Sequence, residues 1–235
     1  TGIGDGGRRV RGASGEARPV IDGGATAIHL SGARYLVIHD LEVTGSEANG
    51  INIDDGGDSA NEDAARFIVL RDLALHDVGG GGNEDCLKLS GVSDFWVLRA
   101  AIARCGGGEE GSGIDHVGCH RGVVAASSFE QMSGNGVQCK GGSSEITILG
   151  NRFEHPGARG VNLGGSTGLA FFRPPLGATG PHAEARAIRV EGNHFVGGMA
   201  AVAFVGVDGA SVRFNTNEQP GRWALGILQE NRTAD

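Results

Sequence analysis

Lys140 and Arg159, with His120 upstream and His155 between them, are the side chains best suited to move a proton beside a carboxylate. A lysine acts as a base only through its neutral amine, a form that surroundings poor in polar groups favour. A guanidinium can hold a carboxylate by two parallel hydrogen bonds, and histidine offers an acid or a base near neutrality. A second group, Asn52, Lys88, Asp115, Gln138 and Asn162, recurs once per repeat of the chain. Amides mixed with one carboxylate and one ammonium suit a ligand rich in hydroxyls. Lys88 and Asp115 are expected to pair with each other at the surface, where such a pair contributes little. A third group is acidic: Asp54, Asp55, Glu84 and Asp85, with Asp58, Glu62 and Asp63 nearby. Oxygen ligands of this kind suit Ca²⁺, whereas no cysteine and histidine spacing supports zinc.

These residues fall on a repeat. Gly136–Val137–Gln138–Cys139–Lys140–Gly141–Gly142 is followed by Gly160–Val161–Asn162–Leu163–Gly164–Gly165, and the chain holds 44 glycines. Ile146–Phe153 aligns with Ile188–Phe195, and Phe67–Leu73 with Phe95–Ala101. Each such strand leads through a corner to a second strand core, such as Gly50–Ile53, Cys86–Leu89, Gly113–His116, Gly136–Cys139 and Gly160–Leu163. Alternation at period two fits nearly every segment and helical periodicity fits none. Strand and turn repeated every 20–30 residues indicate a solenoid, here an all-β, single-stranded parallel β-helix of about eight coils. Alternate residues enter the core, so Ile51/Ile53, Leu87/Leu89, Ile114/His116, Val137/Cys139 and Val161/Leu163 point inward. With coils about 4.8 Å apart, Asn52, Lys88, Asp115, Gln138 and Asn162 then form an outward column roughly 19 Å long. Lys140 lies on the same face, between Val117 and Gly164. Asn151 and Asn193 occupy a tight turn where asparagines can stack.

The corner after this strand expands twice, near 55–66 and 165–186. Long loops on one side of a repeat fold mark the binding side. The second insertion brings Phe171, Phe172, Arg173, Pro174 and Pro175, which could wall the groove or stack on sugar rings. Glycines 141, 142, 164 and 165 are expected at corners that keep the groove floor open.

With 235 residues, 39% hydrophobic and 20% charged, the chain is long and apolar enough for one domain with a continuous core. Its net charge of −8 disfavours nucleic acid and anionic membranes as partners. No apolar run reaches membrane-spanning length. A monomer is expected, and the opening Thr1–Gly2–Ile3–Gly4 reads as the interior of a longer precursor. Cys86, Cys105, Cys119 and Cys139 lack metal-site spacing and read as small core residues rather than a disulfide framework.

From Gly134 to Gly168, and more loosely over residues 20–232, the chain resembles the right-handed parallel β-helix proteins of the pectate-lyase-like superfamily. Its repeats are similar to bacterial, often exported, proteins described as polysaccharide-degrading. The resemblance implies a secreted or periplasmic protein acting on an acidic polysaccharide, with calcium bridging a uronate. The expected reaction is β-elimination on a uronate-containing glycan. Lys140 would be the base, Arg159 would pair with the substrate carboxylate, and His120 would be an alternative acid or base. Asn52, Lys88, Asp115, Gln138, Asn162, His155 and Arg173 would contact substrate. A glycoside hydrolase needs two carboxylates flanking a bond, and Asp115 with Asp54 is the available pair. A non-catalytic glycan-binding or structural surface module is the third reading.

Overall fold

The computed structural model describes residues 7–108, 110–177 and 182–230, so part of the second expected insertion (178–181) lies outside the described residues. The chain winds through three parallel sheets, and nearly every strand pairs with its counterpart one coil away. The first sheet runs from Arg8–Arg11 through Arg34–His39, Ala65–Arg71, Val92–Leu98, His120–Ala125 and Ser143–Leu149 into the last two coils. The second holds eight short strands such as Ala101–Cys105 and Arg152–Glu154. The third, which carries the site, holds Ile28–Ser31, Ile51–Asp54, Leu87–Ser90, Ser112–Val117, Asn135–Lys140, Arg159–Gly164, Ala200–Val205 and Trp223–Ile227. This is a right-handed parallel β-helix, and one short 3₁₀ turn, Leu169–Phe171, is the helical element among the described residues.

The core is built of like-on-like rows. Phe129, Phe153 and Phe195 stack with centroids 4.7 Å apart at each step. Gly136 and Gly160 lie within the expected strand cores and make room for this stack. A Cβ on Gly136 would meet Phe153 and the Gly160 carbonyl at 2.6 Å, so only hydrogen fits there. Asn151, Asn193 and Asn215 form a ladder at one corner: each Nδ2 donates to the next Oδ1 at 3.0 Å. The same amides accept from the Asn151 and Asn193 backbone N–H groups and donate to the Val124 and Ile148 carbonyls, backbone groups that the turn would otherwise leave buried and unpaired.

Two cysteines depart from expectation. Cys86 and Cys105 lie on facing corner positions with Cα atoms 5.4 Å apart and are joined by a disulfide. Such proximity across a corner is invisible in the 19-residue spacing. Cys119 and Cys139 are free and buried, as expected. His116 also points inward: it stacks on Phe95, its Nδ1 lies 2.8 Å from the Gln138 carbonyl, and burial lowers its pKa to about 4.

Candidate functional site

The register of the third sheet aligns Asn52 with Lys88, Lys88 with Asp115, Asp115 with Gln138, and Gln138 with Asn162. Val117 aligns with Lys140 on the same face. At the downstream edge of this sheet a cleft of about 610 Å³ opens between the two insertions. Asn52, Asp54, Lys88 and Lys140 rise from its floor, and Asp55, Thr167, Phe171 and Arg173 belong to its walls.

Beneath the cleft lies a buried charge network. The Asp115 carboxylate is fully buried although it faces outward, because two lysines cover it. Lys88 Nζ donates to Asp115 Oδ2 in a short contact, and Lys140 Nζ sits 3.1 Å from the same oxygen. Lys88 also donates to Asp85 at 3.2 Å, and Asp85 accepts from the Ser112 backbone N–H at 2.7 Å. Burial works against the Asp115 charge, but Lys88 and Lys140 hold its pKa below the ordinary carboxylate value. For Lys88 burial is likewise outweighed, by Asp115 and Asp85, and its pKa is raised. Asp85 goes the other way: burial, then the Asp115 charge, push its pKa up to about 7. The expected Lys88–Asp115 pair therefore exists but is buried, so it anchors the cleft rather than decorating a wet surface.

The wall is fixed by a buried glutamate from the far end of the second insertion. Glu184 accepts from the backbone N–H groups of Thr167 and Gly141, at 2.7 and 2.9 Å, and from the Thr167 hydroxyl at 2.6 Å. It ties the wall to the residue following Lys140. Arg173 pairs with the buried Asp55, joining the second insertion to the first. A Cβ on Gly142 would lie 2.8 Å from the Arg173 carbonyl, and one on Gly164 1.7 Å from that of Val205. Gly142 admits the protein's own loop and Gly164 the neighbouring strand Ala200–Val205, rather than leaving the floor open for a ligand.

The other candidate residues lie elsewhere. Asn162 is buried and, like Gln138, donates to the Gly164 carbonyl at 3.3 Å, so both brace the loop. Arg159 is paired with Glu230, outside the cleft. His120 lies on the first sheet behind the second insertion, its Nδ1 2.8 Å from Ser144 Oγ; burial lowers its pKa. His155 is exposed at the corner leading into the third sheet. Lys140, Arg159 and His120 thus do not line one cleft. The four acids proposed for calcium are separately engaged. Asp54 accepts from Ser31, His29, Gly56 and Asn52, Asp55 from Arg173 and Gly57, and Glu84 from Gly82. Lys88 and Ser112 hold Asp85, and among the described residues no three His, Cys, Asp or Glu side chains gather to hold a metal ion. Sequence reasoning missed Glu184 and Thr167, whose partnership spans 17 residues with no local pattern to reveal it.

The profile of right-handed β-helix regions matches residues 23–174, and the chain belongs to that family. Among solved structures, the alginate lyase from Paenibacillus sp. str. FPU-7 superposes with a TM-score of 0.62 at 14% identity, over 96% of this chain and 83% of that one. The periplasmic alginate epimerase AlgG gives 0.46 at 11% identity, over 86% of this chain and 48% of that one. The GH136 lacto-N-biosidase from Eubacterium ramulus gives 0.46 at 13%, over 92% and 47%. At these identities the likeness concerns the fold. No curated protein matches the sequence.

Proposed function

We propose that this β-helix family member is a polysaccharide lyase that cleaves a uronate-containing glycan by β-elimination in the Lys88–Lys140 cleft. The observation that supports this reading best is the convergence of two lysine amines on one buried carboxylate, Asp115, at the floor of a cleft in an otherwise acidic protein. Cations on a half-enclosed floor attract an anionic sugar and stabilise the enolate-like charge that forms when the proton beside its carboxylate is removed. Lys88 serves as the fixed cation, since two carboxylates keep it charged. Lys140, with one carboxylate contact among its ion pairs, serves as the base. The C–H bond beside the carboxylate breaks towards the Lys140 amine, a C=C bond forms, and the glycosidic C–O bond breaks. The leaving oxygen takes a proton from the Lys140 ammonium or from solvent. Asn52 and Ser90 offer hydrogen bonds to hydroxyls, and the exposed ring of Phe171 at the rim can stack on a sugar face.

A hydrolase fits the cleft less well. Asp115 is buried beneath two lysines and Asp55 is neutralised by Arg173, which leaves Asp54 without a free carboxylate partner on the floor. The disulfide fits an oxidising compartment, in keeping with a secreted or periplasmic location. No helix among the described residues is long and apolar enough to cross a membrane. The test is incubation with alginate, pectate and glycosaminoglycans. Release of ultraviolet-absorbing unsaturated ends supports the lyase; new reducing ends without that absorbance indicate a hydrolase, and binding without turnover a recognition module.

A further inference from the structure

Arg159 stands at the upstream edge of the third sheet, opposite the cleft. Its backbone aligns with Asn135, five residues before Lys140 in the neighbouring strand, but its guanidinium reaches forward to Asn162, which aligns with Gln138. Its guanidinium is held from below and covered from above. Below, Nη1 donates to the buried Asn162 Oδ1 at 3.1 Å, and Asn162 is itself fixed to the Gly164 carbonyl. Above, the Glu230 carboxylate accepts from Nη1 at 3.0 Å and from Nη2 in a shorter contact. This is the two-point geometry in which a guanidinium takes any carboxylate. Glu230 reaches Arg159 from the segment after the last strand, which Leu228 ties down through its N–H to the Phe204 carbonyl at 2.9 Å.

The burial is unequal. The Arg159 side chain is 16% exposed and that of Glu230 40%. The arginine is a preorganised part of the sheet, and the glutamate is a half-wet lid whose ion pair adds little stability. We propose that Arg159 is a second carboxylate-binding subsite, filled here by the chain's own Glu230, which the uronate carboxylate of a long acidic glycan displaces. The proposal rests on the uronate reading of the cleft. Lys140 Nζ sits over Asp115 and Arg159 Nη1 over Asn162, two coils or about 10 Å apart, so one uronate carboxylate cannot touch both and an oligosaccharide can. Glu230 thus acts as an internal competitor that selects for chain length.

Calorimetric titration with glucuronate and with size-defined oligogalacturonates and oligomannuronates tests this on wild type, Glu230→Gln, Glu230→Ala, Arg159→Gln and the Arg159→Gln/Glu230→Gln double variant. If Glu230 occupies the subsite nine-tenths of the time, both Glu230 variants should bind the longer oligomers about tenfold more tightly and glucuronate unchanged. Arg159→Gln should weaken the longer oligomers and abolish the effect of Glu230→Gln in the double variant. Longer oligomers that bind wild type and both Glu230 variants equally, or bind the variants more weakly, would overturn the subsite while leaving the cleft reading intact. Failure of every oligomer to bind any of these proteins would overturn both.

Discussion

At the downstream edge of the third sheet, Lys88 and Lys140 cover a carboxylate that lies beneath them; at the upstream edge, Arg159 lies beneath a carboxylate that covers it. Both arrangements neutralise the cations, but they leave different surfaces. An anion buried in the sheet holds the lysine amines from below and leaves their other side to the cleft. An anion on top consumes the face that a ligand would use. Whether a cation in this fold is available to a ligand thus depends on which side of it the counter-ion sits, which residue type and spacing do not reveal.

The comparison can be broken first at Asp115. Asp115→Asn leaves two lysine amines over a buried neutral amide, and removing one partner of a buried ion pair costs about 3–5 kcal/mol; denaturant unfolding should show it, whereas Glu230→Gln at the other edge should shift stability by less than about 1 kcal/mol. The disulfide comes next. It closes a 19-residue separation next to Asp85, so Cys86→Ala/Cys105→Ala should lose about 3 kcal/mol in the same assay. Lys88→Met should weaken binding of an acidic oligosaccharide by about ten- to a hundredfold, the worth of a charge-assisted hydrogen bond, measured by calorimetry.

The smallest effect is a pH dependence confined to the cleft edge. The folded-state pKa of Asp85 is raised to about 7 from 3.8, so between these values the folded protein binds more protons than the unfolded chain. Its contribution to stability therefore falls as pH rises from about 4 to about 7 and is constant above that. The stability difference between wild type and Asp85→Asn should shrink over that window, in thermal melts taken at a series of pH values.

Much of the fold was legible because a solenoid turns sequence spacing into position. The alternation that placed Ile114 and Val137 inward also placed Lys88, Asp115 and Gln138 in one outward column, and the register has them so. The loops between Ile51–Asp54 and Ala65–Arg71 and between Arg159–Gly164 and Ala185–Arg186 both contribute to the cleft. What failed depended on depth and on distant partners. Outward-facing Asp115 and Asn162 are buried, because lysine stems and the Gly164 turn cover them. Arg159 is taken by a glutamate 71 residues away, and Asp55 by an arginine 118 residues away. Cys86 meets Cys105 because the coil brings two corner positions together, a closeness that requires the winding itself.

The role of Lys140 is the point on which the cleft reading turns. The direct measurement is the rate of unsaturated-product release by wild type and Lys140→Ala at a series of pH values, with oligosaccharide binding measured in parallel. If Lys140 is the base, removing its amine slows turnover far more than it weakens binding. The alanine variant should lose about 10²–10⁴-fold in turnover, the worth of a positioned general base, while retaining binding within a few-fold. Product release by Lys140→Ala at the wild-type rate would contradict that assignment.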